Sequence, residues 1–431
     1  MPKSTLTLYA CEVALDDRYR LLQRVWIGFW LVLMAVTWRL WLPPDGFPAV
    51  PLLPVSSVPP AVEWTMLAVV VAAIALAAVV PRVRWQSAGW IAFLAAGIGL
   101  VLLNQHRLQP WFYQALLLAV LWASTDSRRG LAMMRLLAVA IYFYSAVGKF
   151  DFQFLHTVGQ QFLQTAGGLG GVAVGQWSEG QRLWAAAVFP AVELLVAILL
   201  CFRITRLVAV GVGVAMHVAT IGLLGPWGLA HQSGVLVWNA AMIAQLVLLF
   251  TPTRTRPRAR EGDDETGSAR RSRRLLPAAL GLMVTCLALV LPLLERAGYW
   301  DHWPSWALYS PHNSRVTLQV HASAVQRLPE RLQAFLTAPG EDGWQNLDLD
   351  RWSIEALGVP DYPQSRFQFA VARQVLRCHS LGRGGRIVIQ GVADRWAGQR
   401  ETARVSTPMQ IDAAADRFLL NTRPRPCPPE T

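Results

Sequence analysis

Three ionisable side chains in this sequence fall where such groups are costly. Lys149 sits near the end of the apolar stretch IYFYSAVGKFD at 141–151, and Glu193 and His217 lie inside two later apolar runs. A charge held in hydrocarbon costs about 3 kcal/mol or more, so one that persists usually faces a partner, a cavity or a reacting group. The chemistry open to this set is proton transfer. A lysine desolvated among Tyr142, Tyr144 and Phe150 would serve as a base, because burial favours the neutral amine. At the membrane surface the same lysine would only snorkel. Glu193 and His217 would handle protons or orient a ligand, or would lock two helices together as a polar pair.

The elements that must position these residues are membrane helices. Of 431 residues, 54% are hydrophobic and 15% are charged, whereas soluble chains run near a quarter charged. The 19 Trp suit the region between headgroups and acyl chains. A span takes roughly 17–25 mostly apolar residues, and the candidates are 21–41, 62–80, 88–103, 111–123, 131–148, 183–202, 207–224, 234–250 and 275–294. The fourth is short enough to be re-entrant or interfacial. The first is long and Trp-rich, and reads as a retained helix rather than a cleaved leader.

Basic residues favour one orientation. With the N-terminus in the cytoplasm, eighteen of them fall in cytoplasmic stretches, eight being arginines between 254 and 274. Only Arg39, Arg107, Lys149 and Arg182 fall in the opposite short loops, as the positive-inside rule requires. The expected fold is therefore mainly α. A polytopic bundle of about nine transmembrane helices occupies 1–250 and 275–294, a basic cytoplasmic linker occupies 251–274, and a small extracytoplasmic α+β domain occupies 295–431. The protein is expected in the cell inner membrane, with that domain in the periplasm. In it, 316–320 and 386–390 read as strands, and 324–336 and 363–377 as helices.

The net charge of +12 is spread between apolar runs and forms no groove-sized patch with interleaved aromatics, which excludes nucleic acid as a partner. The expected partners are the lipid bilayer, a lipid-soluble ligand and an extracytoplasmic protein. Cys11, Cys201, Cys286, Cys378 and Cys427 show no metal-binding spacing, so no metal is expected. The last two can pair if their region lies outside the cytoplasm.

At 1.5 Å per residue, Lys149 lies about 30 Å from Arg129, near the outer end of its helix. Glu193 and His217 lie about 15–16 Å from the cytoplasmic turn at Arg203 and Arg206, so the two can meet in mid-membrane. The loop at 149–182, with its GGLGG run, reads as flexible. Asn104, His106, Gln109, Trp111 and Tyr113 add a polar, aromatic cluster on the outer side, and Gly225, Pro226, Trp227 and Gly228 break a helix there. An outward-opening pocket with Tyr142, Tyr144, Trp111 and Trp227 against the ligand would suit a quinone.

YFYSAVGKF, followed by Glu193, Thr205–Arg206, His217 and IGLLGPWG, resembles the membrane (HTTM) domain of vitamin K-dependent gamma-carboxylase and its bacterial relatives, over about 105–250. The resemblance implies an outward-facing enzyme using a reduced, vitamin K-like quinone, with Lys149 as the base. It does not extend to the carboxylase's large luminal portion, since the C-terminal region here is much smaller. A similar helix layout, with a helix-borne Glu and a Gly/Pro-rich outer turn, is found in DoxX and MauE proteins. That kinship implies a non-enzymatic membrane component of a redox complex.

Overall fold

The computed structural model describes residues 3–43, 46–54, 58–80, 83–252, 276–423 and 427. The linker expected at 251–274 lies almost wholly outside the described residues. Among those residues, seven helices are long and apolar enough to cross a membrane: α1 (Lys3–Val36, from Val13), α3 (Pro60–Val79), α4 (Val83–Leu103), α6 (Ser127–Lys149), α9 (Glu179–Cys201), α10 (Arg206–Leu224) and α11 (Ser233–Phe250). The short α2 (Trp38–Trp41) follows α1 at Thr37. Two shorter apolar helices, α5 (Pro110–Ser124) and α12 (Ala278–Val290, extended by a 3-10 turn to Leu294), pack among the seven.

The bundle has two distinct ends. At one, Arg18, Arg203 and Arg206 all lie close to Arg135, gathering the basic residues of α1, α6 and the α9–α10 turn. At the other lie Lys149, the loop after α2 and the C-terminal domain. α5 connects them although it is only 15 residues long: Trp111 in its first turn packs on Trp41, while the Leu121 carbonyl at its far end accepts from the Tyr19 hydroxyl at 3.2 Å. The aromatic rings of Trp26, Trp30, Trp90, Phe93 and Trp122 interlock at the centre.

The segment 149–182, read from sequence as a flexible loop, is instead largely helical. α7 (Phe152–His156) and α8 (Val158–Leu169) form a cap against α9. Two of its glycines serve close packing. A Cβ at Gly167 would stand 2.4 Å from Val174, and one at Gly159 2.8 Å from the Phe154 carbonyl.

The C-terminal domain is an antiparallel sheet in the order β2-β1-β3-β4, built from β1 (Arg315–His321), β2 (Trp344–Leu347), β3 (Gly385–Gln390) and β4 (Thr402–Val405). α15 (Ser365–Cys378) covers one face, burying Phe367, Val371 and Val375 near Val316, Leu318 and Ile387. The strands at 316–320 and 386–390 appear as β1 and β3. The helix expected at 324–336 is split at Pro329 into a 3-10 segment and the short α13 (Glu330–Gln333), because proline lacks the N–H that a continuous helix needs. α14 (Leu349–Leu357) and α16 (Pro408–Ala415) complete the domain. Cys378 and Cys427 form a disulfide with Cα atoms 5.6 Å apart.

The domain is seated on the bundle by specific bonds. Trp352 Nε1 donates to the Gly46 carbonyl at 2.9 Å, Arg366 Nε to Gln105 Oε1 at 2.9 Å, and the Phe152 amide to the Arg395 carbonyl at 2.8 Å. Asn421 Nδ2 donates to the Pro51 carbonyl at 2.9 Å, tying the region after α16 to the loop between α2 and α3.

Candidate functional site

α6 carries the centre of the site. Its N-terminus is fixed by Asp126, whose carboxylate accepts from the Arg129 amide at 2.9 Å. Tyr142, Ser145 and Lys149 recur at i, i+3 and i+7, so they share one helical face. Lys149 is 3% exposed. Its amine donates to Ser145 Oγ at 2.7 Å and to the two Glu193 carboxylate oxygens at 2.8 and 2.7 Å. An ammonium has three N–H donors, and all three are engaged. Lys149 is thus no snorkelling anchor. Glu193 stands three residues after the buried Pro190, inside α9. Proline leaves the carbonyl four residues earlier without its helical donor.

Seven residues before Lys149, a second polar chain crosses three helices. Asn239 Nδ2 donates to the Val235 carbonyl at 2.8 Å, which turns its oxygen toward His217 Nδ1 at 2.7 Å. His217 therefore carries its proton on Nδ1, and Nε2 accepts from the Tyr142 hydroxyl at 2.7 Å. Glu193 and His217 lie near enough for the Glu193 charge to act on the imidazole, but their direct hydrogen bonds go elsewhere, Glu193 to Lys149 and His217 to Tyr142. Counting residues gives depth along a helix, whereas which neighbour a side chain meets depends on its azimuth. Both sets are mounted on one face of α6, about 10 Å apart along its axis.

The side chains expected to contact a quinone do not converge. The Tyr144 hydroxyl donates to the Leu289 carbonyl of α12 at 2.5 Å, Trp111 is buried against Trp41 and Phe112, and Trp227 is 79% exposed on the outer turn. The polar cluster at 104–113 closes its own loop and docks the C-terminal domain. Asn104 accepts from the His106 amide at 3.2 Å, and His106 Nε2 lies 2.8 Å from the Pro360 carbonyl.

Beyond Lys149, the end of α6 meets the C-terminal domain. A Cβ at Gly148 would stand 2.9 Å from Ser310 Oγ, so the two chains approach closely here and a larger residue would have to turn that hydroxyl aside. Buried Asp151 caps α7 and forms an ion pair with Arg296. The adjacent Glu295 receives His302 Nδ1 at 2.7 Å and His312 Nε2 at 2.9 Å. Burial alone would raise the Glu295 carboxyl, but the bonds from both imidazoles reverse this and hold it well below the usual carboxylate range. Burial pushes the His312 imidazole down. This cluster carries no recognisable spacing. Its one signal in the sequence is that two of the 8 His fall within DHWPSWALYSPHNS, directly after the last apolar run.

A second titrating group lies in the C-terminal domain. The Asp361 carboxyl is pushed up to about 8, first by burial and then by the Asp350 charge beside it. Gln368 Nε2 donates to its Oδ2 at 2.6 Å, and its own amide donates to Asp350 Oδ1 at 3.1 Å. The folded state then holds a proton that the unfolded chain releases between about pH 4 and 8, so stability falls as pH rises through that window. The melting temperature is expected to drop from pH 5 to pH 9, and Asp361→Asn to flatten much of that slope. An unchanged slope in the variant would place the titration elsewhere.

Comparison with family models, curated proteins and solved structures finds no match for this chain.

Proposed function

We propose that this chain is a multi-pass inner-membrane enzyme whose reaction site faces the periplasm, acting on a reduced quinone in the manner of vitamin K-dependent carboxylases. In this reading the N-terminus is cytoplasmic, α5 and α12 also cross the bilayer to give nine spans, and the C-terminal domain is periplasmic. The observation that carries the reading is the buried Lys149–Glu193 pair with the Tyr142–His217–Asn239 chain on the same face of α6. Lys149 passes its extra proton to Glu193 through one of their hydrogen bonds, leaving a neutral amine and a carboxylic acid. With a reduced quinone bound, the neutral Lys149 amine would be the base toward its hydroxyl proton. The test is purification in detergent, extraction of bound quinone, and incorporation of labelled bicarbonate into a peptide or small acceptor. Quinone retention with incorporation that disappears in Lys149→Ala supports the reading, and incorporation unchanged in that variant removes Lys149 from the chemistry.

A different observation favours a second reading. All three Lys149 donors are already used, which suits a lock between α6 and α9 in a non-enzymatic component of a redox complex of the DoxX/MauE kind. Co-purification of a stoichiometric periplasmic partner, with no bound quinone, favours this one.

A further inference from the structure

The seam between bundle and outer domain holds a cluster that neither reading uses. Glu295, His302 and His312 each present one ligand atom, and these atoms lie within 4.8 Å of one another. We propose that the three residues bind one divalent transition-metal ion of the zinc type, a site separate from the Lys149–Glu193 pair and about one residue of chain beyond the Asp151–Arg296 contact.

The donor set suits such an ion. Two imidazole nitrogens and one carboxylate match zinc and its first-row neighbours, whereas magnesium and calcium favour oxygen ligands throughout. The dimensions suit it as well. Metal–ligand bonds of about 2.0–2.2 Å place neighbouring ligand atoms about 3.4 Å apart in a tetrahedron. The carboxylate–imidazole separations of 2.7 and 2.9 Å lie just below that value, so small side-chain rotations admit an ion once each neutral ring carries its proton on the other nitrogen, Nε2 of His302 and Nδ1 of His312. One carboxylate and two neutral rings give a net charge of −1 to meet a dication. Arg296, the neighbouring cation, is held by Asp151.

The ligands are also held in place before any ion arrives. Glu295 follows the last apolar helix in a turn closed by Gly298 at φ +78°, and the Gly298 amide donates to the Glu295 carbonyl at 2.9 Å. His302 follows Asp301, which is clamped by Arg366 of α15 and by the hydroxyl of Tyr362 just before that helix. The His312 carbonyl accepts from the Ala393 amide at 2.8 Å. Between the two histidines, Trp306 and Tyr309 adopt φ of +59° and +57°. Bulky residues persist in that left-handed region only where their surroundings impose it, and such strain collects at functional sites. Three protein ligands leave a fourth position for water or a substrate oxygen, as catalytic zinc sites do.

The experiment uses the whole chain in detergent, purified without a histidine tag and analysed for metal by mass spectrometry. About one equivalent of zinc, or of another first-row ion, is expected per chain. After chelation, added Co2+ should raise the melting temperature and produce visible d–d absorption. His302→Gln and His312→Gln should each weaken binding by more than about 100-fold, beyond the 10–100-fold typical of residues that merely support a ligand. His321→Gln, on a partly exposed histidine at the end of β1, should leave binding unchanged. Folded, monodisperse wild-type protein with far less than one equivalent, no thermal shift and no cobalt bands overturns the proposal. So does equal loss of binding in His321→Gln. If the ligand variants do not fold, the wild-type cobalt titration decides alone.

Discussion

Lys149→Met is expected to cost up to about 3–5 kcal/mol of stability, because it strips a half-buried carboxylate of its counter-charge. The side chains of Lys149 and Glu193 are 4% and 20% exposed, so little solvent can take over the role of the lost amine. The pair as a whole contributes far less than either single loss suggests, since bringing both charges out of water offsets most of their attraction. The double variant Lys149→Met/Glu193→Leu should therefore recover most of the stability. Unfolding in detergent micelles, arranged as a double-mutant cycle, gives the coupling directly. Single variants within about 0.5 kcal/mol of wild type, with additive effects, would show that the pair is solvated and not a closed contact.

Arg107→Met should be as damaging, for a broader reason. Arg107 pairs with Glu63 at 2.6 Å, both side chains being almost wholly buried. It also donates to the carbonyls of Leu40, Trp41, Leu42 and Leu100. Its loss leaves a carboxylate without this partner and deprives those four carbonyls of a donor, a cost of about 3–5 kcal/mol from the charge alone. Arg107→Lys should recover less than half, since an ammonium cannot reproduce the planar fan of donors. Thermal stability and limited proteolysis of the 40–63 region measure both effects. A lysine variant as stable as wild type would show that charge alone matters here.

These two pairs also bear on how far the sequence could be read. Arg107 and Lys149 are two of the four basic residues that fell on the outer side, against the general asymmetry. Both prove to be cancelled by buried carboxylates, so they carry little weight as topology signals. Helix positions were legible because apolar runs of membrane length have few other uses. The strands β1 and β3 were legible from their alternation, whereas β2 and β4 are four residues each and lacked enough residues to show a period. The cap formed by α7 and α8 was hidden by its glycines, which sequence reading takes for flexibility and which the structure uses for contact with Val174 and Phe154. Lys149 and Glu193 were legible as residues but not as a pair. The Glu295 cluster was invisible because its members come from a helix end and an irregular loop, where no periodicity relates spacing to proximity.

The bond from Asn421 to Pro51 spans 370 residues of sequence, and this separation constrains biogenesis. At the usual synthesis rate of 5–20 residues per second, the loop between α2 and α3 waits roughly 20–70 s for the segment that secures it. During that interval Gly46, Phe47 and Pro51 have been synthesised but their partners Trp352, Phe367 and Asn421 have not. The seam that houses Glu295, His302 and His312 is therefore among the last parts of the molecule to close, and any ion it takes can enter before the outer domain shuts over it.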